Sequence, residues 1–178
     1  TWHGQSVNIC SSTISSNFGG YAGGIFSEGP LTISNSIVAG NLDTDELPIY
    51  RDGSLTVTDS LIGDNGDSGL EPTLDGDRDA NGNFIGTAAA PIDPLLGPLA
   101  DNGGPTQTMA LLAGSPAIDQ GANPDNLATD QRGVPFVRRF GSQIDIGAYE
   151  VNANQADLQV TVSPVTPNPV LEGQEFSY

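Results

Sequence analysis

Residues 31–41 read LTISNSIVAGN, and the same phrase occurs twice more. Residues 7–17 read VNICSSTISSN, and residues 55–65 read LTVTDSLIGDN. Successive copies begin 24 residues apart, without insertion or deletion. A fixed period of this length is the signature of a solenoid, in which each unit buries its apolar face only by stacking on its neighbours.

The aligned columns carry physical meaning. Val7, Leu31 and Leu55 form one apolar column; Ile9, Ile33 and Val57 form a second; Ile14, Val38 and Ile62 form a third. Ile25 and Ile49 form a fourth, followed by Phe26 and Tyr50. Apolar residues two apart around a polar one have strand periodicity. Each unit therefore reads as three short strands with bends between them, at 7–10, 12–15 and 24–27 in the first coil. Stacking such coils at strand spacing, about 4.8 Å, gives a parallel β-helix, expected to be right-handed. Two polar columns suit its corners: Ser12, Ser36 and Ser60, and Asn17, Asn41 and Asn65. Side-chain amides and hydroxyls there hold turns and pass hydrogen bonds between coils. Gly29 and Gly53 mark a third corner.

Composition agrees with an all-β chain. Of 178 residues, 23 are Gly and 13 Pro, and the longest runs free of both are rich in Ser, Thr, Val and Asn. Little helix is expected. The formal charge is −17, and the five basic residues are all arginines. Such a chain repels nucleic acid and anionic membranes. No segment is long and apolar enough to insert in a bilayer. The single Cys10 excludes an internal disulfide framework. The chain opens in mid-repeat and stops in a strand-like pattern, so it reads as an excerpt of a longer protein.

Beyond Asn65 the period fails. Residues 66–91 form an acidic, irregular loop or hairpin. Asp77, Asp79 and Asn81 match the first half of a calcium loop, D-x-D-x-N-G, with Asp75 close by. The second half of that motif is missing, with Ala88 where the bidentate Glu belongs, so no cofactor is expected and calcium is the one candidate. The alternative is a hairpin turning at Asn81-Gly82 and closing Arg78 to Ile85.

Residues 92–150 are dense in short, turn-bounded phrases: DPLLGPLADNGGPT at 93–106, TMALLAGSPAIDQG at 108–121, TDQRG at 129–133 and DIGAYE at 145–150. Together these resemble the carboxy-terminal block of the choice-of-anchor Q family of bacterial surface proteins. The repeat, with Gly23-Gly24-Ile25-Phe26, likewise resembles β-helix repeats of bacterial surface proteins. The resemblance implies a secreted or cell-surface β-helical module and brings no catalytic residues with it. A β-helix end is an exposed edge over an open core, so the block is expected to cap it, with strands at 106–112 and 144–149 closing the last coils. Asp119, Asp130, Arg132 and Asp145 then read as a buried ion-pair and turn network, with Asp130, Asp119 or Asp145 as partner to Arg132, or as a sugar or cation site. Arg138 and Arg139, flanked by Phe136 and Phe140, suit either an anionic sugar or nearby carboxylates. Residues 151–178 read as a linker followed by a segment resembling the start of an immunoglobulin-like surface repeat, with further domains of the same chain as neighbours.

Two classes of function follow. One is a non-enzymatic stalk, scaffold or adhesin that binds carbohydrate, such as a surface or extracellular polysaccharide, or calcium. The other is a polysaccharide lyase or glycoside hydrolase, since fold alone does not decide function. A lyase needs a base, and lysine is absent. A hydrolase needs paired carboxylates, and Asp43 and Asp67, one period apart, are the candidate pair.

Overall fold

The structure is a computed structural model that describes residues 4–43, 47–73 and 76–152. The expected immunoglobulin-like start therefore lies almost wholly outside the described residues, as does Asp75. Among the described residues there are thirteen short strands and no helix.

The three copies of the repeat stack in register. Strands β1 (Val7–Cys10), β5 (Leu31–Ser34) and β9 (Leu55–Thr58) form one parallel sheet, with Val7 opposite Leu31 and Leu31 opposite Leu55. Strands β2 (Thr13–Ser15), β6 (Ile37–Ala39), β10 (Leu61–Ile62) and β11 (Phe84–Ile85) form a second parallel sheet. Two-stranded parallel sheets, β3 (Phe18–Gly19) with β7 (Leu42–Asp43) and β4 (Ile25–Ser27) with β8 (Ile49–Arg51), complete the first two coils. The fold is a parallel β-helix of about three turns.

One residue per coil turns the corner between the first two sheets. Ser11, Asn35 and Asp59, again 24 apart, have φ of 46°, 47° and 48°. This left-handed conformation is tolerated best by short polar side chains that bond locally. The serine column follows at the next position. Each hydroxyl donates to the carbonyl two residues earlier, and the Ser12 and Ser36 N–H groups donate to Ser36 Oγ and Ser60 Oγ at 3.1 Å. In the asparagine column, Asn17 donates to Asn41 Oδ1 from both its backbone and side chain. Asn65 instead donates its amide to Leu70 O, closing its own loop. At the third corner coils touch backbone to backbone, since a Cβ on Gly53 would lie 2.4 Å from Gly29 C.

The period does not end at Asn65; it shortens by one residue. Leu61 pairs with Phe84 and Ile62 with Ile85, 23 residues on. Asn83 takes the next rung of the serine ladder, its Oδ1 accepting from Ser60 N at 3.0 Å. Residues 66–82 are thus the irregular traverse of a coil whose second sheet is regular. The hairpin expected from Asn81-Gly82 is a tight turn feeding a parallel strand, because the Phe84 N–H and Gly86 N–H are drawn to the previous coil.

Among the described residues there are two apolar cores. Ile25, Leu31, Ile33, Val38, Ile49, Val57 and Ile62 fill the inside of the coil. Ile37, Ala39, Leu61 and Phe84, on the outer face of the second sheet, pack against Leu111, Ala117 and Ile146 of the carboxy-terminal block. The block therefore lies along the flank of the second sheet. The expected continuation of the coils does not occur. β13 (Thr108–Leu111) pairs antiparallel with β12 (Leu96–Ala100), and 144–149 runs as irregular chain with one isolated bridge, Gly121 to Ile144. The physical reason is the doubly apolar strand: Ile37 and Leu61 would face water unless something covered them.

Candidate functional site

The irregular backbone of the block leaves many polar groups without strand partners, and buried charges answer them. Asp130 and Arg132 are both buried. The Arg132 guanidinium donates to both Asp130 oxygens at 2.6–3.2 Å and from Nη2 to Glu150 O at 2.6 Å. Asp130 also accepts from the backbone N–H groups of Arg132 and Glu150. The guanidinium lies between two rings, 3.9 Å from the Phe136 centroid and 3.8 Å from that of Tyr149. A planar, delocalised cation suits this double stack, and an ammonium would not.

Of the proposed partners of Arg132, only Asp130 meets it. Asp119 and Asp145 hold backbone instead. Asp145 Oδ1 accepts from Asp119 N at 2.7 Å and Oδ2 from Val151 N at 2.6 Å, while Asp119 Oδ1 accepts from Ser142 N and Gln143 N. A short acidic side chain beside a bend reaches nearby N–H groups more readily than a distant cation. Burial pushes the Asp145 carboxyl up.

A second buried pair was not visible as one in the sequence. Arg138 and Glu150 are both buried, with Nη1 of Arg138 3.8 Å from Glu150 Oε2. Arg138 Nη2 donates to the carbonyls of Asp145 and Gly147. Glu150 accepts from Phe140 N and Asp145 N at 2.8 and 3.0 Å. Burial pushes the Glu150 carboxyl up to about 7, against those N–H groups and Arg138, which draw it down, and burial lowers Arg138. Arg139, its neighbour, is exposed and donates to Ser142 O. The pair is thus not a paired anion site: strand-like alternation sends one side chain inward and the other to solvent.

Asn35 clasps the block to the coils. It is fully buried; its Oδ1 accepts from Ala122 N at 2.9 Å and its backbone O accepts from Gly147 N. Gly121 is required beside it, since a Cβ there would sit 2.2 Å from Asn35 Oδ1. The 24-residue column Ser11, Asn35, Asp59 is the signal that marks this residue.

In the acidic loop, Asp79 is committed to its own turn. Its Oδ1 accepts from Asn81 N and Asn83 N, and its Oδ2 from Asn83 Nδ2. Asp77 and Asn81 are exposed, and among the described residues no three metal-ligating side chains converge. Arg78 ties the loop to Asp59 and to Gln120. Of the hydrolase pair, Asp43 ends β7 opposite Gly19, and its side chain lies outside the described part. Asp67 lies exposed in the turn closed by Ser68 N to Asn65 O, not in a strand extending β3 and β7. Among the described residues no strand pairs position 43 with position 67, because the third coil leaves the strand pattern after Ile62.

The coil surface carries exposed rings. Phe26 and Tyr50 stack across coils, 5.0 Å apart and 8° from parallel. The Tyr50 hydroxyl donates to Asp52, which raises its pKa. Phe18, Tyr21 and Leu42 are exposed nearby in the chain.

The fold and these networks define a β-solenoid with a laterally packed, charge-braced block. No protein-family model matches the chain, and no curated protein or solved structure does. No helix among the described residues is long and apolar enough to cross a membrane.

Proposed function

We propose that the chain is a non-enzymatic module of a secreted or cell-surface protein, a stalk or adhesive scaffold of the choice-of-anchor Q type. The observation that carries this reading is the use of the charges. All five arginines donate to backbone carbonyls: Arg51 to Gly53 and Ser68, Arg78 to Gly82, Arg132 to Glu150, Arg138 to Asp145 and Gly147, Arg139 to Ser142. Asp79, Asp119, Asp130, Asp145 and Glu150 accept from backbone N–H groups. Groups bound this way brace irregular chain; general acid–base work needs a group aimed at a substrate. The phrases at 93–150 support the family reading, and a stacked β-solenoid suits a spacer or a presenting surface.

Two measurements test it. Antibody to the chain should label intact source cells or the culture medium; signal confined to lysate overturns the surface placement. Incubation with uronate polymers and neutral glycans should give neither unsaturated product nor new reducing ends. Product that disappears in the Asp43→Asn/Asp67→Asn variant would make the chain an enzyme.

A further inference from the structure

Beside the block, the outer face of the second sheet changes character at the first coil. In the later coils this face is apolar and roofed: Ile37, Leu61 and Phe84 occupy one column, Ala39 and Gly63 the next. In the first coil the same columns hold Thr13 and Ser15, and both are only half-buried. There the roof lifts and leaves a cleft of about 210 Å³ between β2 and the β12–β13 hairpin. Thr13, Ser15 and Asn17 form one wall, with Gln107, Thr108 and Gln131 opposite; Leu99 and Met109 supply apolar surface.

Among the described residues, none lining this cleft is ionisable, although the chain carries a formal charge of −17. Neighbouring clefts carry Asp101, Asp77 with Arg78, Arg139, or Asp64 with Asp67. The polar groups are held in place. Thr13 Oγ1 accepts from Ala148 N at 3.1 Å and keeps its own proton to donate, and Gln131 Nε2 is anchored on Thr106 Oγ1 at 2.9 Å. Thr108 is buried, its Oγ1 accepting from Asn102 Nδ2. Hydroxyls and amides both donate and accept, so they match a ligand that does the same. The lining is mostly polar, with Leu99 and Met109 as its main apolar part, and convergent polar groups of this kind fix a ligand's orientation and specificity. A neutral sugar ring offers hydroxyls around its edge and C–H groups on its face.

We propose that this cleft binds one residue of an uncharged glycan. The inference deepens the reading of a surface module by naming its ligand class, and it rests on that reading for its biological setting only.

The test is amide chemical-shift mapping on the whole chain. The probes are methyl glycosides of glucose, galactose, mannose and N-acetylglucosamine, with glucuronate and galacturonate as anionic controls. The expected result is saturable shifts at residues 13–17, 107–109 and 131 with at least one neutral glycoside, and at least tenfold weaker binding of the uronates. Ser15→Arg, at a partly exposed strand position, should abolish the shifts and leave the melting temperature unchanged. If Ser15→Arg melts early, Gln107→Arg on the opposite wall provides the same test. Shifts with no neutral glycoside at millimolar concentration, equal binding of uronates, or shifts confined to Phe26 and Tyr50 would each overturn the proposal. A silent cleft in a chain without enzymatic activity would leave the module reading intact.

Discussion

The coils and the flanking block hold irregular side chains and bends by different means. In the coils, almost every buried N–H finds a carbonyl one coil away, and the interior needs only stacked aliphatic side chains. Burying each of these contributes about 1.5–3 kcal/mol, and the one arginine of the coil strands, Arg51, pairs in register with buried Ser27 and donates to the Gly53 and Ser68 carbonyls. In the block, regular pairing is limited to one hairpin and isolated bridges. Its unpaired backbone groups are met by the buried side chains of Asp130, Arg132, Arg138, Asp145 and Glu150. The difference teaches that a repeat solves its polar accounting by symmetry, whereas a non-repeating cover must solve it residue by residue. A buried ion pair is often no better for stability than an apolar substitute, but losing one partner is costly.

The largest expected effect comes from breaking the block's central pair. Arg132→Ala leaves the Asp130 carboxylate buried without its fork and empties the space between Phe136 and Tyr149; it should cost about 3–5 kcal/mol in urea unfolding. Arg132→Lys keeps the charge but not the double stack, and should recover part of that loss. Hydrogen exchange sharpens the comparison. Amides of 128–150 should lose protection while those of β5 and β6 keep it. Equal loss in both regions would make them one cooperative unit.

Two truncations four residues apart in one coil separate the inner core from the seam. Ile33→Ala and Ile37→Ala should each cost about 2–5 kcal/mol. Ile37 lies against Gly147, where a Cβ would meet its Cδ1 at 2.9 Å. Ile37→Ala should therefore deprotect Ile146 and Gly147 amides first, and Ile33→Ala those of β1, β5 and β9. Identical exchange patterns would erase the distinction between the two cores.

The smallest effect is the dependence on pH. Glu150 has its carboxyl raised from 4.5 to about 7 in the fold, and Asp145 is raised too. The native state therefore holds more protons than the unfolded chain between these values. Stability from this source is complete below pH ~4.5, falls as pH rises towards about 7, and levels off above it. The span is about 1–3 kcal/mol. Glu150→Gln should flatten that part of the melting-temperature profile. A profile with the opposite slope that the variant does not change would remove Glu150 as its origin.

Much of the coil was legible because its signals are periodic. The columns at 9, 33 and 57 or 14, 38 and 62 need no knowledge of distant chain. The seam was written there as well: Ile37-Val38-Ala39 and Leu61-Ile62 are apolar at consecutive positions, the mark of a strand covered on both faces, whereas Leu31-Thr32-Ile33-Ser34 alternates. The charged pairs were less legible. Asp130 and Arg132 lie two apart and could be matched, but Arg138 and Glu150 meet only because the chain doubles back between them. Asn83 carries no signal in the 24-residue columns, because its coil is 23 residues long.

By itself, then, the sequence determined an all-β parallel solenoid, its register and its corner residues, because repeated burial and repeated hydrogen bonding impose one local solution at every turn. Only the tertiary structure decided that the block lies along the flank, that Asn35 clasps it, and that the charges of 119–150 brace backbone. Those outcomes depend on which surfaces meet, and contacts between residues as far apart as Asn35 and Gly147 leave no period to read.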